Sequence, residues 1–233
     1  MFNKHLIKTL NSLSSIGDSL IMKFPVTVLT DSSKAIAVKI DVSKIDDSKF
    51  DDFGLFNKLG KFVNLFTLFN EPNVSLSKNI FTISEGKVST SFITDSIMLL
   101  NAFDMNHEIF SKIKEANSIA EFDLNIEEIK KLKSAFHIYG DLDSLSFTGE
   151  DGVVSITLDA LSKFNSNTNK FSIAKDCEVK KNFNLSIPFE TLTKLPNLNY
   201  KVHIKYNENR DIYRFYLTCD DAALEFLLSP SAK

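Results

Sequence analysis

Four times along this 233-residue chain, a short stretch with apolar residues at helical spacing on one side and lysine on the other is followed by strand-like runs joined by tight turns. The stretches are Phe2 to Ile16, Phe53 to Phe66, Ile126 to Ile138 and Pro188 to Leu195. A helix with one apolar stripe must bury it against something, so each module needs a sheet to lie on, and four modules in series divide into two halves. The boundaries expected are residues 1–110, with a connector beginning at about residue 95, and residues 119–233. At 43% hydrophobic residues, a chain of this length can give each half its own core. The fold class predicted is α+β: two similar domains of antiparallel sheet with helices on one face.

The division of each helix into two faces can be read residue by residue. In the first, Phe2, Leu6, Leu10 and Leu13 fall on one side and Lys4, Lys8, Asn11 and Ser15 on the other, with Gly17 as the stop signal. The second is expected to begin after Asp51 and Asp52, either of which can cap it. Its apolar face would carry Leu55, Phe56, Leu59, Phe62, Val63 and Phe66, opposite Asn57, Lys61 and Asn64, with Lys58 at the edge. Asn125 with Glu128 three residues on is a capping-box variant ahead of the third, which sets Ile129, Leu132 and Phe136 against Lys130, Lys131, Ser134 and His137. Pro188 opens the fourth, where Phe189, Leu192 and Leu195 oppose Glu190 and Lys194.

Between the helices, strands are predicted at Leu20 to Lys23, Val26 to Thr30, Lys34 to Val42, Val74 to Leu76, Asn79 to Ile83 and Lys87 to Thr94 in the first half. The second half offers Ile119 to Leu124, Ser144 to Thr148, Val153 to Leu158, Lys170 to Cys177, Val179 to Ile187, Tyr200 to Tyr206, Ile212 to Thr218 and Ala222 to Leu228. Glu85-Gly86 and Glu150-Asp151-Gly152 supply hairpin turns. Residues from about Asp95 to Ser118 lack a clear period and read as an edge strand plus connector, with a short helix near His107 to Ala116 as the alternative.

A net charge of −3 argues against coating nucleic acid by bulk attraction, so any such contact must come from a local basic surface. Arg210 and Arg214 are the only arginines; lysine is a point charge that attracts phosphate without reading base edges. Lysine on a polar helix face also fits an ordinary solvated surface, and its recurrence on four helices is what favours a role. Cys177 and Cys219 have no ligand spacing and are expected to be buried thiols, and the four histidines form no metal motif. No Ser/His/Asp or Cys/His arrangement, paired carboxylate or phosphate-binding glycine loop stands out, so neither an enzyme nor a cofactor or metal site is expected. No apolar run approaches the ~20 residues of a membrane span, and Met1 to Lys8 leads straight into an amphipathic pattern; a soluble, cytoplasmic protein is predicted.

Several segments resemble a known family. Leu195-Pro196-Asn197-Leu198-Asn199-Tyr200-Lys201-Val202 is similar to the helix end, loop and strand start found late in DNA polymerase sliding clamps. Leu6-Ile7-Lys8 running to Ile16-Gly17, and Leu55 to Phe66 followed by Asn70-Glu71, resemble the clamps of T-even bacteriophages. Phe122-Asp123-Leu124 ahead of Glu127-Glu128-Ile129-Lys130-Lys131-Leu132 resembles clamps of the proliferating-cell nuclear antigen (PCNA) type. The connector, and the Leu224-Glu225-Phe226-Leu227-Leu228 ending before Ser229-Pro230, depart from the family pattern.

The resemblance implies a homotrimeric ring around double-stranded DNA that tethers the replicative DNA polymerase and is opened by an ATP-driven clamp loader. Helices would line the hole, and edge strands at Lys87 to Thr94 and Lys170 to Cys177 would pair between subunits. Lys4, Lys8, Lys58, Lys61, Lys130, Lys131 and Lys194 would face DNA, and Met98, Phe103, Phe226 and Leu228 would receive partner peptides. For a viral protein the location would be the host-cell cytoplasm. The rival reading is a non-enzymatic virion or scaffold assembly protein built from antiparallel sheets that associate edge to edge.

Overall fold

The computed structural model describes residues 2–47, 49–98, 100, 105–140, 142–159 and 170–232. The chain forms two compact units, Met1–Ile109 with Asp220–Leu224, and Phe110–Cys219 with Glu225–Lys233.

The first unit contains α1 (Lys4–Leu13), β1 (Leu20–Met22), β2 (Val26–Thr30), β3 (Ile36–Asp41), the one-turn helix α2 (Val42–Ile45), β4 (Phe53–Leu55), α3 (Leu59–Leu65) with a 3₁₀ turn at Phe66–Leu68, β5 (Asn73–Ser77), β6 (Ile80–Glu85) and β7 (Val88–Ile93). Strands β4-β1-β2-β3 lie side by side, and β5-β6-β7 form a second sheet; every pairing is antiparallel. Helix α1 buries Leu6, Leu10 and Leu13, as its period requires. It ends at Leu13 rather than at Gly17, whose task is close approach: a Cβ there would stand 2.5 Å from the Thr30 carbonyl oxygen on β2. The core is aromatic. Phe62 sits among Phe2, Phe53, Phe66, Phe81 and Phe92 with ring centroids 5.1–6.3 Å away, mostly edge to face.

One predicted helix boundary is corrected. Phe53–Leu55 is a strand that pairs with Met22, Ile21 and Leu20, so Asp51 and Asp52 do not cap a helix. Long-range pairing outweighs the helical period of this segment. Helix α3 starts six residues later, with no side-chain cap of its own at Lys58. Its first N–H groups are taken by Asp18: Lys58 N and Leu59 N reach the Asp18 carbonyl at 2.9 and 3.0 Å, and Gly60 N reaches Asp18 Oδ1 at 2.6 Å.

The second unit receives most of α4 (Glu108–Glu115), then β8 (Ser118–Leu124), α5 (Ile126–Tyr139), β9 (Ser144–Glu150), β10 (Val153–Asp159), β11 (Phe171–Asp176), β12 (Phe183–Pro188), α6 (Phe189–Lys194), β13 (Tyr200–Asn207), β14 (Ile212–Cys219), β15 (Leu224–Leu228) and β16 (Ser231–Ala232). Strands β15-β14-β13-β8 are neighbours, and β11-β10-β9-β12-β16 form another sheet. Within the connector, the helical alternative near His107 to Ala116 is the one found, as α4. Asp151 and Gly152, both at positive φ, make the two-residue turn that sets Val153 opposite Glu150. Asn125 and Glu128 close the capping box, each accepting the other's backbone N–H at 2.9 Å, and Gly140 ends α5 at φ 66°. Phe136 stacks on Phe189 at 3.9 Å, joining α5 to α6. Neither Cys177 nor Cys219 forms a disulfide; Cys219 is buried and Cys177 half-buried. Among the described residues no helix is long and apolar enough to cross a membrane.

Candidate nucleic-acid interface

In the first unit, α1 and α3 pack together and leave a groove of about 820 Å³ between them. Its floor includes Phe2, Ile7, Val63 and Phe66, and its rim carries Lys4, Lys8, Asn11, Thr67 and Asn70. Asn3 sets the helix in place: its Oδ1 accepts Leu6 N at 2.7 Å, while its own N–H and Nδ2 donate to Asp46 Oδ2 and the Ile45 carbonyl at 2.5 and 2.7 Å. At the far side of the groove, Glu85 accepts Asn70 N at 3.1 Å and Glu71 N at 2.8 Å. Those backbone N–H groups hold its carboxyl below the ordinary glutamate range, with a smaller contribution from Lys4. Lys4, Lys8 and Lys61 are exposed, and none forms an ion pair with a described residue.

Lys58 is different. Its Nζ lies 2.8 Å from Asp95 Oδ1, and the pair is half-buried, clipping the start of α3 to the end of β7. Burial pushes the Asp95 carboxyl up, but Lys58 and the Phe56 N–H at 2.9 Å outweigh it and leave it below the usual carboxylate range. The expectation of Lys58 as a free DNA-facing charge is corrected: its ammonium is committed to Asp95.

In the second unit, Lys131 stands exposed on α5, whereas Lys130 pairs with Glu127 at 2.9 Å and Lys194 with Glu190 at 2.9 Å. Lys133 donates to the Leu195 carbonyl at 2.6 Å and to Asn197 Oδ1 at 2.8 Å, and burial lowers its pKa. It stitches α5 to the loop after α6. Glu128 Oε1 accepts from Lys175 on β11 while Oε2 serves the cap.

Of the residues expected to receive partners, Met98 is 83% exposed. Phe103 lies outside the described residues. Phe226 is 0% exposed, its ring 5.4 Å from Tyr200, and Leu228 is buried on the same strand. Both are core residues, which corrects their assignment to a docking surface: a side chain already packed has no area left to offer. Sequence reasoning missed Asp18, Asp95 and the Asn70–Glu85 latch, all joined to their partners across long sequence separations.

Strands β7 and β11 are outer strands of their sheets. Val88 and Ile93 on β7 are 63% and 66% exposed, and next to β11 a second groove, of about 480 Å³, brings Phe171 together with Ile138 and Tyr139 of α5.

No protein-family model matches the sequence, and no curated protein matches it. Solved structures do. PCNA from Entamoeba histolytica aligns over 97% of this chain and 94% of its own, with a TM-score of 0.66 at 17% identity. PCNA from A. fulgidus, solved with the C-terminal region of FEN-1, aligns over 98% of this chain and 96% of its own with a TM-score of 0.64 at 11% identity. The DNA polymerase sliding clamp of Caulobacter crescentus gives a TM-score of 0.65 at 10% identity, this chain spanning 64% of its length. Two antiparallel units bearing helices, matched end to end by these structures, establish that the chain has the DNA sliding-clamp fold.

Proposed function

We propose that the protein is a DNA sliding clamp that closes head to tail as a homotrimer around duplex DNA and tethers the replicative DNA polymerase for processive synthesis. The observation that carries the reading is the near-complete mutual coverage with PCNA, 97% of one chain and 94% of the other. Exposed lysines on α1, α3 and α5 supply phosphate attraction without base reading, which permits translation along DNA. Retention comes from topology rather than affinity.

The outer strands β7 and β11 each leave backbone groups to pair, and the exposed Val88 and Ile93 would meet the apolar groove of Phe171, Ile138 and Tyr139 on the next subunit. The FEN-1 region bound to A. fulgidus PCNA is a precedent for partner peptides, for which the exposed Met98, together with Phe103 outside the described residues, is the proposed receiver. Ring opening falls to an ATP-driven loader. The segment resemblances favour a T-even-phage-type clamp working in host cytoplasm.

The test is retention. A trimer, at three times the 26.3 kDa chain mass, should stay on nicked circular DNA after loading and leave once the circle is cut. A scaffold protein would ignore both forms. Primer extension on a long template, with the matching loader and polymerase, should lengthen products only when the protein is present.

A further inference from the structure

The two units carry their helix lysines in unlike surroundings. Helices α1 and α3 hold three lysines and no carboxylate, whereas α5 and α6 hold four lysines and three glutamates. In the second unit the glutamates lie against the cations: Glu127 on Lys130 and Glu190 on Lys194, each at 2.9 Å, while Lys133 is spent on a carbonyl and Asn197. A carboxylate at that distance cancels most of the field a lysine projects beyond it, even where the pair contributes little to stability.

In the first unit Lys4 and Lys8 stand one turn apart on the rim of the α1–α3 groove, and Lys61 is exposed on α3. Their polar neighbours Asn11, Asn64 and Thr67 are neutral. The acids nearby are Glu71, in the groove lining, Glu85, whose carboxylate is engaged by the Asn70 and Glu71 backbone N–H groups, the buried Asp46, which accepts the Asn3 N–H, and Asp18, which accepts the Gly60 N–H.

Resting on the clamp reading, we propose that the grip on duplex DNA is lopsided within each subunit: the α1–α3 surface of the first unit, through Lys4, Lys8 and Lys61, is the principal seat for backbone phosphates, and the α5–α6 surface is electrostatically muted by its own glutamates. The ring then presents alternating strong and weak sectors to the duplex, rather than an even lining.

The test compares two triple variants of the full chain, Lys4→Ala/Lys8→Ala/Lys61→Ala and Lys130→Ala/Lys131→Ala/Lys194→Ala, by fluorescence anisotropy on a short linear duplex across a salt series. All six are helix-surface positions, and unchanged thermal unfolding and trimer mass verify folding. The first triple should lower low-salt affinity at least ~10-fold and flatten the slope of log K against log salt by up to ~0.9 per lost phosphate contact, and the second should lower affinity less than ~3-fold. Glu127→Gln/Glu190→Gln should raise affinity and steepen the slope, a gain that loss of a structural contact would not produce. Equal losses in the two alanine triples, a larger loss in the second, or no gain in the glutamine double would overturn the lopsided grip. Failure of the unaltered protein to stay on nicked circles would instead overturn the clamp reading itself, whatever the triples do.

Discussion

Helix α5 of the second unit and helix α3 of the first both carry lysine on an outer face and are held by opposite means. Helix α5 carries its own instructions: Asn125 and Glu128 satisfy the first turn, and Gly140 ends the last. Helix α3 has seven residues, no cap of its own and a start defined by Asp18, which is 42 positions from Gly60. Where α5 could be recognised from neighbours in sequence, α3 exists because the sheet has brought Asp18 and the phenylalanine cluster to it. The comparison separates secondary structure that is locally encoded from secondary structure that tertiary contacts impose.

The strongest way to break this contrast is to remove the anchor of the imposed helix. Phe62→Ala, in the middle of the ring cluster, should cost about 3–5 kcal/mol in urea denaturation. A loss below ~1 kcal/mol would mean that α3 does not depend on that core. Next in size, Asp18→Ala should cost about 1–2 kcal/mol and speed hydrogen exchange at Gly60, while Asn125→Ala should cost about 1 kcal/mol and speed exchange at Glu128. Equal protection of Gly60 in the parent and in Asp18→Ala would remove the remote cap from the account.

A subtler test uses peptides. One covering residues 124–141 should show measurable helicity by circular dichroism, and one covering 57–69 essentially none, since a seven-residue helix without a cap cannot offset its nucleation cost. The smallest effect should appear in acid. Asp95 is held below its ordinary pKa, so its ionised form stabilises the fold above the unfolded value near ~3.9, and that contribution is lost as pH falls through the folded value. Asp95→Asn should therefore lower stability at neutral pH and flatten its decline in acid. An unchanged acid limb would show that Lys58 and Asp95 are not coupled in solution.

The same division decides how much was legible in the sequence. Strands such as Val26–Thr30 and hairpin turns such as Asp151-Gly152 depend on alternation and positive φ, and both are local signals. The apolar residues of Phe53–Leu55 fit a helical stripe as well as a strand; only the pairing with β1 distinguishes the two. In sequence Lys58 is indistinguishable from a surface cation, because its partner Asp95 lies 37 residues on. Phe226 and Leu228 carry the side chains a docking surface would want and the burial a core demands, and composition alone does not tell one from the other. The glutamates that mute α5 and α6 stand openly in the sequence, but their contact with Lys130 and Lys194 needs the helix geometry to be seen.

Glu128 has a structural consequence. One of its oxygens closes the mouth of α5 and the other meets Lys175 on the outermost strand. That one carboxylate thus ties the front of α5 to a strand whose backbone is paired with β10 from Phe171 to Asp176. Replacing that side chain would take the reciprocal cap from the helix and the side-chain tie from the strand in one step, so a single carboxylate sets the local order of two elements.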